Sequence, residues 1–530
     1  MLRSAQRTAQ FSRRLANLAV AATVALMAGC AALGPATAPS PASGDLTAEA
    51  LATPSDGNCR RWYGALDEAI EHGNVRDAGA VRIAGFPQLR VDRFAASFRD
   101  SLAPRAADGN ARAQLTALLD YLRELDTEAR LFEMANLPGA SRAALKLPPD
   151  TQLRRLLDAC SSEVTSETLA RVDSVAALAN KLAVPDHYAD WKRALGLYPL
   201  TSIPFLHGVN VWQQEIAGRF AHAPAHAEPT TRYLPSIINS TLDDTAVQRF
   251  AAGPRNALGI PQLAASDWSA LLAQYAPVFD IETPKGAGAN ARSHTDHFGA
   301  LRFTTNDTPG IDIDNPVAYQ RIAFTRYRGQ TLTQLVYSIW FPERPASQMI
   351  DLLAGHLDGV MIRITLDERG IPLLVDSIHS CGCYHLFFPT PRLSPRPAPQ
   401  SHMEWAFIPA TLPLLGAGQR VQLRLASASH YLVDIRPFDN VLRAADIRYG
   451  LRDDNELRSL PIMNAGHKSV FGNDGIIDGS ERGERFLFWP MGIASPGAMR
   501  QWGTHATAFV GRRHFDYADL IEQRFEFKPE

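Results

Sequence analysis

The spacing of apolar residues changes once along this chain of 530 residues, and that change constrains its fold. From residue 58 to 225 apolar side chains recur at helical spacing, whereas beyond about residue 265 they alternate as in strands. Five leucines show the helical spacing on a single face: Leu115, Leu118, Leu119, Leu122 and Leu125. We therefore predict an α+β fold, with a helical N-terminal domain followed by a larger antiparallel strand-rich domain.

The predicted domain boundaries lie where this spacing changes. The helical domain spans residues 58–225, a linker region spans 226–265, and the strand-rich domain spans 266–530. The clearest hairpin joins strands at 360–366 and 371–378. Further elements are strands at 318–327, 332–341, 421–425, 431–435 and 485–489 and a short helix at 517–522.

The first 29 residues have the pattern of a secretory signal peptide. An apolar run at 15–27 follows a basic leader and ends in the small pair Ala28 and Gly29, directly before Cys30. The run is too short to cross about 30 Å of hydrocarbon, and small residues are typical of a cleavage site. We expect residues 1–29 to be removed. The basic residues of the leader are Arg3, Arg7, Arg13 and Arg14.

The sequence that ends at Cys30 resembles the lipobox of bacterial lipoproteins. That resemblance implies that Cys30 is acylated, becomes the new N-terminus and anchors the protein to a membrane, since two or more acyl chains anchor stably. Ala31 in the next position implies the periplasmic face of the outer membrane. The residues around Arg13 and Arg14 also resemble a twin-arginine signal, which leaves the export route open. The body of the chain resembles no characterised family.

Composition limits the partners of the chain. Residues 30–57 combine the acylated Cys30 with a segment rich in Ala, Pro, Ser and Gly, which predicts a disordered tether. The formal net charge is −2 and no block of five or more like charges occurs, so we expect no nucleic-acid partner. The expected partners are the membrane, through Cys30, and a cell-wall or envelope component.

Four cysteines besides Cys30 are available for disulfides in an oxidising compartment. Cys59 begins the helical region and Cys160 lies on the apolar stripe of a later helix. We predict a structural disulfide between them, and two buried free thiols are the alternative.

The densest polar cluster follows the predicted hairpin. His379, Cys381, Cys383 and His385 alternate, so they would share one face of an extended strand. Four interpretations stay open: a strained Cys381–Cys383 disulfide, a transition-metal site such as zinc, a nucleophilic thiol, and buried core side chains. In the third interpretation His379 or His385 is the base, and Asp376 orients an imidazole.

A second candidate cluster contains His294, Asp296 and His297. Two histidines three positions apart meet on one helix face, so His294 and His297 are candidate metal ligands, and a solvated loop is the alternative. The cluster gains interest only if it folds against the Cys/His strand.

A third pattern contains His356, Asp358 and His430, followed by Arg436. The order resembles the facial triad of non-haem iron oxygenases, which would place Arg436 beside a co-substrate carboxylate. The alternative is a turn at Asp358 before the hairpin and a histidine at the edge of a strand.

The apolar stretch 196–213 completes the sequence-based predictions. We expect a buried loop and helix there, and a segment that rests on lipid is the alternative. For the whole chain we expect an outer-membrane lipoprotein with a metal- or thiol-dependent hydrolase site. The alternatives are a non-catalytic envelope protein stabilised by disulfides and a thiol-exchange protein.

Overall fold

The computed structural model describes residues 58–102, 109–169, 172–222, 229–236, 244–283, 294–400, 402–416, 418–463 and 466–528. The compact unit that contains them runs from Ala50 to Glu530. The signal peptide, Cys30 and the tether lie outside the described residues, so those three features stay predictions.

The described helices are concentrated before residue 280. In chain order they are α1 (Cys59–His72), α2 (Arg93–Ala96), α3 (Gly109–Asn136), α4 (Gly139–Ala144), α5 (Asp150–Leu169), α6 (Val172–Lys181), α7 (Asp190–Leu195), α8 (Tyr198–His222), α9 (Asp244–Ala252), α10 (Ala265–Tyr275), α11 (Arg485–Phe488) and α12 (Leu520–Arg524). None of the helices among these residues is long and apolar enough to cross a membrane.

A disulfide holds the first helix against the helical region. Cys59 opens α1 and bonds to Cys160 in α5, as predicted. Both cysteines lie in an apolar cluster with Tyr63 and Leu66 of α1 and Leu157 of α5. The covalent bond therefore joins two helices that already bury their apolar faces together.

Two short strands lie near the N-terminal end of the described residues, and the other strands lie after residue 229. In chain order the strands are β1 (Val81–Ile83), β2 (Phe86–Val91), β3 (Thr230–Pro235), β4 (Val278–Glu282), β5 (Ala300–Phe303), β6 (Pro309–Asp312), β7 (Val317–Tyr327), β8 (Gln330–Arg344), β9 (Gly355–Leu366), β10 (Pro372–His379), β11 (Leu386–Pro389), β12 (Leu393–Pro395), β13 (Val421–Leu425), β14 (Leu432–Pro437), β15 (Ile447–Asp453), β16 (Leu460–Pro461), β17 (His467–Lys468) and β18 (Phe525–Phe527).

Ten of these strands form one mixed sheet. Its order is β11-β10-β9-β8-β7-β15-β3-β4-β13-β14. The run from β7 to β11 is antiparallel, as expected for strands joined by short turns, whereas β15 is parallel to both β7 and β3. The fold class is α+β, as predicted, and the hairpin of β9 and β10 lies where the sequence indicates.

Helices α8, α9 and α10 cover part of this sheet. Ile216, Phe250 and Tyr275 come from the three helices and pack in one core cluster with strand residues such as Leu335 and Ile362. Strand β10 is buried along its whole length, as is usual for a strand that is covered on both faces.

Three segments differ from the sequence-based expectations. Residues 485–489, expected as a strand, begin with the short helix α11. The region 226–265, expected as a linker, supplies β3 to the interior of the sheet. The stretch 196–213 is helical but not buried throughout, because one side of α8 packs on the core while Leu200 and Ile203 on the other side are exposed.

Candidate functional site

The turn between β10 and β11 carries both free cysteines of the described residues. Strand β10 ends at His379, whose backbone N–H donates to the Cys383 carbonyl at 3.0 Å. Gly382 has a φ of 90°, and a Cβ there would lie 2.5 Å from the Ala506 carbonyl oxygen, so only glycine fits. The predicted shared face of an extended strand is therefore wrong, because the chain reverses directly after His379.

The two thiols in this turn form a hydrogen-bonded pair. Both are buried, and neither is in a disulfide. Burial would raise the pKa of Cys381, but the hydrogen bond from Cys383 and the charge of Arg482 bring that pKa below its usual value. The same hydrogen bond and burial raise the pKa of Cys383 well above normal. Cys383 is thus the donor of the pair, and Cys381 is the sulfur that carries negative charge more readily.

An apolar cavity of about 550 Å³ opens beside this pair. Its wall includes Cys383 and Tyr384 from the turn, together with Trp212 of α8 and Phe488 of α11. Trp212 packs on Tyr384 with ring centroids 5.0 Å apart. A mostly apolar pocket with a few polar groups is the usual form of a small-molecule site.

Glu484 is an acidic side chain on the wall of the cavity. Burial raises its pKa to about 7, and the opposing charges of Arg482 and Arg344 only partly offset that burial. The Glu484 side chain fits beside Gly497 because glycine has no Cβ. A Cβ at position 497 would overlap the Glu484 carboxylate. A carboxyl group with this pKa both donates and accepts a proton near neutral pH.

Asp358 of β9 is the centre of a buried charge network behind the turn. Its carboxylate accepts from Arg482 Nη2 at 3.0 Å and from His430 Nδ1 at 2.8 Å, and His379 Nδ1 lies 3.4 Å away. Burial would raise the pKa of Asp358, but Arg482 and His379 bring it well below the usual value. Arg482 therefore connects the network to Cys381, whose thiolate it favours.

His430 lies between two carboxylates. Besides its bond to Asp358, its Nε2 faces the Thr295 carbonyl at 3.2 Å and Asp296 Oδ1 at 3.6 Å. Burial would lower the pKa of His430, but the hydrogen bonds to Asp296 and Asp358 raise it. The ring stacks on Phe341 with centroids 3.8 Å apart. Both ring nitrogens face acceptors, so the surroundings favour the protonated form that donates from both.

The predicted second cluster joins the network through Asp296 alone. His294 is exposed, and the ring Nδ1 of His297 lies 2.6 Å from the Tyr233 hydroxyl. In the third pattern Asp358 and His430 meet, whereas His356 Nε2 donates to the Pro309 carbonyl at 2.7 Å. The triad of His356, Asp358 and His430 is thus not assembled.

His385 and Asp376 form a separate pair at the far side of the turn. His385 Nε2 donates to Asp376 at 2.8 Å, and Arg363 Nη2 and Nε hold the same carboxylate. Burial lowers the pKa of His385 to about 3, so the ring is neutral. Asp376 does contact an imidazole, and His385 also borders the cavity.

The six predicted metal ligands are not brought together. Within the described stretches no group of three or more His, Cys, Asp or Glu side chains is placed to hold a metal ion. His379 lies against Asp358 while His385 lies against Asp376, so these residues do not fit one ion and we derive no chemistry from a metal. The predicted ligands are His294, His297, His379, Cys381, Cys383 and His385.

Sequence reasoning missed Glu484 and Arg482. Both lie in a glycine-rich, charged segment more than ninety residues after Cys383, and no spacing rule connects them to it. The only signal was their position in the aromatic-rich C-terminal part.

Comparison with protein-family models, with curated proteins and with solved structures finds no match to this chain. The function is therefore argued from the site alone.

Proposed function

We propose that this protein is a lipoprotein of the periplasmic face of the outer membrane and that it carries a thiol-dependent hydrolase site at Cys383. The observation that supports the hydrolase most directly is the position of Cys383, hydrogen-bonded to Cys381, on the wall of an apolar cavity that Glu484 also lines. The lipoprotein part of the proposal depends on the leader and Cys30.

The thiol pair offers a nucleophile with its own proton acceptor. Cys383 faces the cavity and donates its hydrogen bond to Cys381, whose pKa is lowered by that bond and by Arg482. When the Cys383 sulfur attacks a substrate carbonyl carbon, its proton passes to Cys381, which begins the cycle as the thiolate. A nucleophile within hydrogen-bond reach of its base is the usual arrangement for covalent catalysis.

Glu484 supplies the second proton transfer. In its protonated form it gives a proton to the leaving alcohol or amine as the carbonyl–heteroatom bond breaks, which leaves a thioester on Cys383. Water then attacks the thioester, Glu484 takes the proton of that water, and the free acid leaves. Cys383 regains its proton from Cys381, so the cycle closes with no net change in the protein.

The cavity favours an ester or amide with a large apolar acyl group. Most of its exposed lining is apolar, with Trp212, Phe488 and Tyr384 among the contributors. Burying apolar substrate surface there contributes about 25 cal/mol for each Å².

A series of p-nitrophenyl esters with acyl chains from acetyl to dodecanoyl tests the hydrolase. We expect hydrolysis to increase with acyl length, to disappear in Cys383→Ser and to fall in Cys381→Ser. Ser377→Ala is the matched control, because Ser377 is buried in the same hairpin and takes no part in the mechanism. Intact mass after mixing should show one acyl group, on Cys383.

Absence of hydrolysis by the folded wild-type protein across the whole series would overturn the hydrolase and favour the non-catalytic envelope lipoprotein. Thermal unfolding of each variant shows that a lost activity is not a lost fold.

Thiol exchange is the second candidate function, and the hydrogen bond between the two sulfurs favours it. An incoming disulfide would oxidise the pair to a Cys381–Cys383 bond and be reduced to two thiols. Treatment with oxidised glutathione followed by mass spectrometry distinguishes the candidates. Loss of two hydrogen masses from the pair, with no ester hydrolysis, supports exchange.

A further inference from the structure

Exposed apolar side chains are concentrated on one part of the surface. Of fifteen large hydrophobic side chains that are exposed among the described residues, eleven lie on four segments, 191–197, 200–211, 349–352 and 486–487. We define these eleven as the apolar face: Trp191, Leu195, Leu197, Leu200, Ile203, Val211, Met349, Ile350, Leu352, Phe486 and Leu487.

The segments that carry the apolar face contact one another beside the cavity described above, and residues of α8 and α11 line it. The ring of Phe205 in α8 packs on Phe488, the last residue of α11, with centroids 5.1 Å apart. The Leu352 carbonyl accepts from the Glu484 backbone N–H at 3.1 Å, which joins the segment 349–352 to the start of α11. Pro490, two residues after the end of α11, lies in close contact with Gly196. Leu487 belongs both to the face and to the cavity wall.

Helix α8 is apolar on two opposite sides. One stripe faces the core or the cavity, while Leu200, Ile203 and Val211 on the other side are exposed. Residues 194–214 contain no Asp, Glu, Lys or Arg. Large apolar side chains on a helix are normally covered, so Leu200, Ile203 and Val211 of α8 lack their cover. The inward stripe contains Phe205, Val209, Trp212, Ile216 and Phe220.

We propose that the apolar face docks on a phospholipid bilayer, with the cavity mouth turned toward the lipid. The charge pattern fits lipid headgroups, since the Lys192 ammonium lies 5.7 Å from the Trp191 ring centre and the Arg485 guanidinium 4.9 Å from that of Phe486. Aromatic rings beside basic groups are typical of membrane interfaces, where the cation meets lipid phosphate.

The length of chain before the first helix permits this docking. Residues 31–57 separate Cys30 from the described body. Fully extended, such a segment reaches at most about 90 Å, so an acyl anchor on Cys30 would hold the apolar face within reach of the same bilayer. A second membrane contact beside a lipid anchor makes attachment more stable. The docking does not depend on the thiol chemistry proposed above.

Flotation with vesicles of phosphatidylethanolamine and phosphatidylglycerol tests the proposal. The protein is the full mature chain from residue 30 with Cys30→Ser, which carries no acyl group and keeps every described element. We expect it to float with the vesicles and Ile203→Glu to lower the partition coefficient by at least about tenfold, since one large side chain leaves the lipid and a charge replaces it.

Leu414→Glu is the matched control, because Leu414 is 62% exposed, like Ile203 at 68%, but lies outside the apolar face. It should float as the parent does, and so should Cys383→Ser, which separates docking from hydrolysis. No flotation of the parent would overturn the proposal, and so would equal flotation of Ile203→Glu and the parent. A parent that forms dimers in sedimentation, lost in Ile203→Glu, and does not float would instead assign the face to a second copy of the chain.

Discussion

His430 Nδ1 lies 2.8 Å from Asp358 Oδ2, although 72 residues separate the two in the chain. The contact connects β9 to the segment before β14, and Arg482 adds the C-terminal part through the same carboxylate. One buried anion thus fixes three distant segments around the thiol turn. The orientation of Arg482 toward Cys381 follows from this arrangement.

Asp358→Asn should destabilise the protein by about 3–5 kcal/mol near neutral pH, because it leaves Arg482 and His430 buried without their shared anion. The pKa of Asp358 is well below its usual value, so its contribution is present above the unfolded pKa and is lost as pH falls through the folded one. Urea unfolding at neutral and acid pH measures this, with Asp434→Asn on β14 as control. A uniform difference at every pH would contradict the ionic explanation.

Glu484→Gln should stabilise the protein at alkaline pH. Burial raises the Glu484 pKa to about 7, so the folded state favours the neutral form and loses stability as pH rises from the unfolded pKa through about 7. We expect the Glu484→Gln variant to be more stable than wild type by about 3 kcal/mol above pH 8, and the two proteins to be equally stable near pH 4. The free energy of unfolding as a function of pH checks this, and Glu481→Gln should change neither limit.

Gly497→Ala should cost more stability than Gly479→Ala. Both glycines have positive φ, 83° and 82°, so both substitutions introduce about 1–2 kcal/mol of backbone strain. Only at position 497 does the new Cβ also meet Glu484, whereas nothing lies within 4 Å at position 479. Comparison of the two melting temperatures isolates the overlap. Equal losses would mean that Glu484 moves aside freely.

Reduction of the Cys59–Cys160 disulfide should lower the free energy of unfolding by about 2–5 kcal/mol, since the bond spans 101 residues and restricts the unfolded chain. Unfolding with and without dithiothreitol measures the loss. The double variant Cys59→Ser, Cys160→Ser should not respond to the reductant, whereas Cys381→Ser, Cys383→Ser should respond as wild type does.

The sequence predicted the parts of the fold that depend on local patterns. Apolar runs on both sides of the 367–370 turn were sufficient to predict the hairpin of β9 and β10. The helical stripe placed Cys160 on a buried face, and its predicted bond to Cys59 is confirmed. Strand β3 was missed because a single six-residue strand gives little periodicity, and its neighbours β4 and β15 come much later in the chain.

The candidate site was predicted only in part for a physical reason. Alternation placed His379, Cys381 and Cys383 on one face, but the positive φ of Gly382 turns the chain there, and sequence spacing does not reveal backbone angles. Arg482, which helps to lower the pKa of Cys381, comes from a segment that is distant in the sequence. Burial and charge at the site are therefore properties of the tertiary fold.

The position of β15 in the sheet sets an order of assembly. It lies between β7 and β3, so without it the sheet divides into an antiparallel meander of β7–β11 and a second group of β3, β4, β13 and β14. Helices α1 and α5, by contrast, precede every strand of this sheet. In a chain that emerges from its N-terminus, α1 and α5 can pack early, while the two strand groups can join only after residue 453 emerges.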